Sequence, residues 1–327
     1  MTDSDSILLA DIGGTNARFA ILNRGAIGPI EYISVAGCSG VIEAIGKFLG
    51  ERAEGMPLKH AVLALAGAVE SDRCEIINSG WIVDVAMLRD AFGFREVRLF
   101  NDFEALAWSL PHLDAADLFP LGGGLPHVGA AALLIGPGTG FGASCLLTRN
   151  GRPVVVASEA GHSTMPGTSR REDDVIELLR GRFGHVSIER AVSGPGLVNL
   201  YEALAAIDGS AVAKRDGMSI TRAALDDSCS FSRSALDMFC AMLGTAAGNL
   251  ALTFCARGGV YIAGGIVPRF PDYVARSEFR ARFEAGGRYR AYLRDIPVNV
   301  IRRPDATFIG LTALIAGGPA AIAAPAE

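Results

Sequence analysis

The stretch Ala10-Asp11-Ile12-Gly13-Gly14-Thr15-Asn16-Ala17-Arg18-Phe19 constrains this chain more than any other. The apolar run Ile7-Leu8-Leu9 precedes it and Phe19-Ala20-Ile21-Leu22 closes it, so the local reading is strand, tight glycine turn, strand. Glycine puts no Cβ in the way and tolerates positive φ, so backbone N–H groups at such a bend can converge on an anion. Thr15 adds a hydroxyl and Asp11 a carboxylate. That carboxylate would repel a bare phosphate, and it fits beside one only if a divalent cation lies between them. The stretch reads as a phosphate-and-magnesium loop; an isolated Gly-Gly-Thr would read better as a plain hairpin turn.

It is not isolated. Ala130 to Ile135 is a second apolar run, followed by Gly136-Pro137-Gly138-Thr139-Gly140-Phe141-Gly142 and the apolar Ala143 to Leu147. This is a weak internal repeat of strand, glycine turn with a threonine, and strand. Two such hairpins facing each other would hold a polyphosphate from both sides of a cleft.

The intervening chain reads as alternating elements. Val41, Ile45, Phe48 and Leu49 fall at helical spacing, and Ala61 to Ala66 has the continuous apolar character of a strand buried on both faces. Asp84 can cap a helix from Val85 to about Phe92, with Gly93 ending it. Val97 to Phe100 is the next strand; it ends in Asn101-Asp102, and a helix starts at Phe103. Strand, helix, strand, helix predicts a parallel sheet covered by helices, and ligands of such sheets sit at the carboxyl ends of the strands, where Asn101 and Asp102 stand. Asp102 could also be merely a helix N-cap. Further on, periodicity predicts helices over Asp173 to Arg180, around Leu197 to Leu204, from Leu236 to Phe254 and over Ala306 to Ala316. Gly258 to Ile266 reads as a strand between two glycine pairs, and Gly317 to Glu327 as a loose tail.

Size and composition set outer limits. A chain of 327 residues suits two domains, and 50% hydrophobic with 20% charged residues is a globular balance. The formal net charge of -5 argues against broad binding of nucleic acid or anionic membranes. The acidic start lacks the basic segment of a signal peptide, and the apolar Leu311 to Pro325 is interrupted by Gly317-Gly318-Pro319, so neither export nor a membrane span is expected. The six cysteines are scattered with no Cys-x-x-Cys pair, which suits free thiols in a cytoplasmic protein and disfavours a cysteine-based zinc site.

Taken in order, the motifs resemble those of bacterial glucokinases of the hexokinase-like type, within the wider group of sugar kinases, actin and heat-shock ATPases. The matching stretches are Asp11 to Arg18, Asn78 with Trp81, Asn101-Asp102-Phe103, Gly138-Thr139-Gly140, Glu159 with Gly161-His162, and Gly184 to Ser187. Glu189-Arg190, Ser193 to Tyr201 and Gly258 to Phe270 complete the set, which spans nearly the whole chain. The resemblance implies a two-domain α/β fold of the actin-like ATPase (ribonuclease H-like) type with a nucleotide and sugar cleft between the domains. Residues 1–111 with about 303–327 would form a small domain and 112–302 a large one. It also implies ATP-dependent phosphorylation of glucose on its 6-hydroxyl, magnesium, and commonly a homodimer.

Carried over by position, Ala10, Asp11, Ile12, Gly13, Gly14 and Thr15 would form the nucleotide phosphate loop, and Gly138 and Thr139 the second one. Gly264 and Gly265 would lie by the adenosine, or simply form a tight turn after a strand. Asn101, Asp102, Glu159, His162 and Glu189 would hold the sugar, Asp102 as the base that takes the hydroxyl proton, and Asp11 would meet Mg²⁺ through water. Taken singly, Glu189 reads as a surface carboxylate and His162 as a histidine satisfied in the core. Two departures stand out: Gly67-Ala68 where the family often has Cys-Pro or Gly-Pro, and Ala160 where it often has glycine. After His162 comes Ser163-Thr164-Met165, without the cysteine-rich zinc motif of a related branch. A kinase for another hexose and a sugar-sensing regulator are the competing readings. With six polar residues before the first strand, no helix-turn-helix is expected there.

Overall fold

The computed structural model describes residues 6–52, 58–77 and 79–317. Asn78, one of the motif residues, and positions 318–327 of the tail lie outside the described residues. The chain divides into two compact units, Met1–Leu113 with Arg303–Glu327, and Asp114–Arg302.

The first unit begins with β1 (Ile7–Ile12), buried along its whole length. A strand without an exposed face needs a neighbour on each edge. One neighbour is β2 (Asn16–Asn23), which returns antiparallel across the glycine turn and places Asp11 opposite Arg18. Short strands β3 (Ala26–Ile27) and β4 (Glu31–Ser34) pair with β2. After α1 (Val41–Arg52), β5 (His60–Leu65) supplies the other neighbour, parallel to β1. A separate three-stranded ribbon follows: β6 (Val69–Glu70), β7 (Arg73–Glu75) and β8 (Ile82–Asp84). Asp84 caps α2 (Val85–Phe92) by accepting from the Ala86 and Met87 amides, and Gly93, at φ 70°, ends it. Then β9 (Glu96–Asn101) pairs parallel to β5 and leads straight into α3 (Asp102–Ala107).

The second unit has β10 (Leu118–Pro120), then the hairpin of β11 (Ala132–Pro137) and β12 (Phe141–Arg149), and β13 (Arg152–Ser158) at one edge of the sheet. The helical layer comprises α4 (Arg170–Phe183), α5 (Ile188–Ala191), α6 (Gly194–Ile207), α7 (Gly217–Leu225) and α8 (Ser230–Thr253). The chain re-enters the sheet as β14 (Gly259–Ile262), parallel to β11. Three short helices, α9 (Pro271–Arg276), α10 (Phe279–Phe283) and α11 (Arg290–Asp295), precede β15 (Val298–Ile301). Sheet order is β10-β15-β14-β11-β12-β13, against β3-β2-β1-β5-β9 in the first unit. Each sheet therefore centres on a buried strand with an antiparallel hairpin partner on one side and a parallel strand on the other, which is the structural form of the sequence repeat. Among the described residues α8 alone is long and apolar enough to cross a bilayer; 78% of its most apolar window is buried, which makes it a core helix.

Helix α4 is longer than its apolar periodicity predicts. It starts at Arg170 because Ser169 accepts from the Glu172 amide, and its polar first turn carries no apolar signal. The last helix, α12 (Ala306–Gly317), rejoins the first unit and packs on α3. Gly310 makes the approach possible: a Cβ there would overlap the Ala105 carbonyl oxygen and stand 3.2 Å from the Ser109 amide nitrogen. Overpacking of this kind costs about 1–3 kcal/mol. Gly310→Ala is expected to lower the thermal midpoint accordingly; an unchanged melting curve would show that the two helices can separate freely.

Candidate active site

In the first unit the register Ile12↔Leu65 and Leu65↔Asn101 aligns the carboxyl ends of β1, β5 and β9. Neighbouring strands lie about 4.8 Å apart, so the Asp11 turn and Asn101-Asp102 stand two strands, roughly 10 Å, from each other on one sheet edge. The turn after β1 is closed by the Gly13 amide donating to the Asn16 carbonyl at 3.0 Å. Asp11 is 8% exposed and pairs with the Arg18 guanidinium across the hairpin. Arg18 also donates to the Pro304 carbonyl at 2.9 Å and lies 5.8 Å from the Phe308 ring centre. Burial alone would lower its pKa; the Asp11 charge and hydrogen bond, followed by Tyr32, outweigh that and hold it above the ordinary arginine value.

At the end of β9 the two candidate readings of Asp102 separate. Asn101 is the N-cap: its Oδ1 accepts from the Phe103 and Glu104 amides at 3.0 and 3.2 Å, while its Nδ2 donates to the Gly67 carbonyl at 3.2 Å. Asp102 is the first residue of α3, half-buried, with Oδ1 accepting from the Phe103 amide at 2.9 Å. Nearby Cys74 is pushed up to about 11, by burial first and then by the charges of Asp102 and Glu75.

In the second unit several motifs meet at the backbone of one residue, Phe141, to which the sequence assigns no role. The Phe141 amide donates to Glu189 Oε2 at 2.9 Å. Its carbonyl is packed against Gly161, where a Cβ would overlap it. Phe141 itself is 5% exposed. The second glycine turn, the Glu159–His162 turn and Glu189 are thus brought together. The Ser163 carbonyl accepts from the Ile188 amide at 2.9 Å and ties the last two. Glu159 and His162 present exposed side chains, with Glu159 Oε2 and His162 Nε2 3.9 Å apart, so His162 is not satisfied in a core. Glu189 is half-buried and anchored rather than a loose surface carboxylate.

The same turn is braced from its other side. The Gly194 amide donates to the Gly138 carbonyl at 2.8 Å, and Ser193 Oγ donates to the Glu189 carbonyl at 2.7 Å while capping α6 through the Gly196 amide. The start of a 14-residue helix therefore abuts Gly138, and a helix N-terminus favours anions. Pairing of β11 with β14 brings Gly138 beside Gly264-Gly265. Gly264 has φ 85°, and a Cβ there would lie 2.5 Å from the Pro137 carbonyl oxygen, so only glycine fits. A cavity of about 780 Å³ opens here, lined by Gly138, Thr139, Gly194 and Gly265, by the apolar Met218, Leu225, Ile266 and Phe270, and by Asp216, Arg222, Asp226 and Arg269. Its size and mixed lining suit a nucleoside-sized ligand. The contribution of α7 was not legible in the sequence, because its apolar positions look like ordinary core spacing.

Among the described residues no cluster of three or more His, Cys, Asp or Glu forms a metal cage. Mg²⁺ needs none, since it takes one or two carboxylates with substrate phosphates and water. Asp11, a buried carboxylate at a turn of exposed and half-exposed residues, fits that mode.

A solved glucokinase from an Antarctic psychrotroph is 33% identical, with a TM-score of 0.83 over 95% of this chain and 99% of that one. A ROK-family glucokinase from Streptomyces griseus, solved with glucose and AMPPNP, is 20% identical and shares the fold at a TM-score of 0.65, covering 94% of this chain and 98% of that one. The architecture is that of the sugar kinases of the actin-like ATPase fold. A sequence model of the glucokinase family matches residues 8–317, and a glucokinase of Paramagnetospirillum magneticum is 43% identical over 95% of this chain and 98% of its own length. The chain belongs to the glucokinase family.

Asn101 offers a direct check on this geometry. Asn101→Ala removes both the cap and the tether to Gly67 and is expected to cost about 0.5–2 kcal/mol of stability. Asn101→Ser, which keeps a cap acceptor and loses the tether to Gly67, is expected to cost less in chemical denaturation; equal losses would show that the cap is not the stabilising part.

Proposed function

We propose that this protein transfers the γ-phosphoryl group of ATP to the 6-hydroxyl of glucose. Family membership across nearly the full chain carries this reading. Phosphoryl transfer demands positioning and charge stabilisation rather than covalent chemistry from the protein. From the first unit, the Ala10–Thr15 turn offers backbone amides and the Thr15 hydroxyl to the phosphates, and Asp11 holds hydrated Mg²⁺. Bound Mg²⁺ would supply charge neutralisation across the phosphates. Asn101 orients the sugar, and Asp102 accepts the proton from O6 as that oxygen bonds to phosphorus and the bond from phosphorus to the β-phosphate oxygen breaks.

From the second unit, Gly138 and Thr139, with the start of α6 behind them, bind phosphate, and Gly264 and Gly265 lie by the adenosine. Glu159, His162 and Glu189 bond the sugar hydroxyls. A site that pairs each hydroxyl discriminates against analogues lacking one. We further place the enzyme in the cytoplasm as a homodimer, following the family pattern.

Coupled ADP-release assays over a panel of hexoses test the reaction: glucose should be the preferred acceptor, and preference for another hexose, or no sugar-dependent release, would overturn it. Asp102→Ala should lower kcat by about 10²–10⁴-fold, the range of a positioned general base, with far less change in the KM for ATP. Near-normal turnover would remove Asp102 from the mechanism. Glu159→Gln should raise the KM for glucose much more than that for ATP; an unchanged glucose KM would count against its role.

A further inference from the structure

Gly140 sits in the second glycine turn and Glu189 at the start of α5, yet the two are in direct contact. The Glu189 carboxylate lies where a side chain on Gly140 would begin: a Cβ there would overlap Oε2 and stand 3.2 Å from Cδ. All three atoms that such a Cβ would meet first belong to Glu189, so no other residue excludes it. Nor does the backbone require glycine, since Gly140 is not among the residues with positive φ. The missing side chain leaves the space through which Glu189 reaches the Phe141 amide, 48 positions away in sequence.

We propose that Gly140 is a positioning residue for the sugar: by leaving that space open it lets the Phe141 amide hold the Glu189 carboxylate in one orientation. The inference rests on the reading of Glu189 as a sugar ligand. With Oε2 committed to a backbone donor, Oε1 is presented in a fixed direction to accept from a hydroxyl. An acceptor held before the ligand arrives loses little freedom on binding, which raises affinity without adding a contact. The role differs from what the sequence position of Gly140 suggests, because a residue of a phosphate turn would be expected to affect the nucleotide.

Isothermal titration of the full-length protein with glucose, and separately with a non-hydrolysable ATP analogue, tests this. Gly140→Ala should weaken glucose binding by roughly tenfold or more, the scale of one charge-assisted hydrogen bond lost or misdirected, and leave analogue affinity within about threefold. Unchanged glucose affinity in the folded variant, or a loss confined to the analogue, overturns the proposal. Wild-type titrations keep the two readings apart: a wild-type protein that fails to bind glucose removes the premise itself, whereas wild-type binding with an unaltered variant removes only the role of Gly140. Should Gly140→Ala fail to fold, amide hydrogen exchange decides. Glu189→Ala is expected to speed exchange at the Phe141 amide, and an unchanged rate there overturns the anchoring on which the proposal stands.

Discussion

A buried strand that must turn back at its own end is the constraint from which this protein's candidate chemistry follows. Strands β1 and β11 have no exposed face, and each takes an antiparallel return on one edge and a parallel neighbour on the other. The return strand starts beside the end of the buried strand, and the parallel neighbour ends at the same sheet edge because its direction is the same. Glycine amides, the last residues of the parallel strands and the first turns of the following helices are therefore gathered together within each unit. Nothing about phosphate or sugar is needed to explain that gathering. The chemistry uses a place that strand pairing already provides.

The two units steady their charged groups differently. In the first, Asp11 is matched by Arg18 on the opposing strand, and Arg18 is itself fixed by the backbone at the start of the returning C-terminal segment. A buried carboxylate without such a partner would bear a large desolvation penalty. In the second, Glu189 is steadied by a backbone amide, which carries no net charge and leaves the carboxylate negative. A neutral anchor preserves an acceptor, whereas an ion pair screens one.

Much of the scaffold was legible in the sequence because short-range signals settle it. The Asp84 cap and Gly93 stop bracket α2, and the continuous apolar run of β5 marks a strand buried on both faces. The ribbon β6-β7-β8 has no sequence signature, since its strands are two or three residues long and leave no periodicity. The start of α4 has no apolar signature, because a hydroxyl cap and a charged first turn set it. Of the candidate site, the residues themselves were named from motifs, but how they touch was not. The Phe141 amide is a backbone donor, and the space at Gly140 is defined by a side chain 49 residues on. Long-range contacts of that kind have no local signature.

The most direct measurement is a crystal structure with glucose and a non-hydrolysable ATP analogue bound. The sugar's O6 is expected within about 3.2 Å of an Asp102 carboxylate oxygen, with Glu189 still accepting from the Phe141 amide and its other oxygen on a sugar hydroxyl. A hexose whose O6 lies far beyond hydrogen-bond reach of Asp102, or one that makes no contact with Glu189, would contradict it.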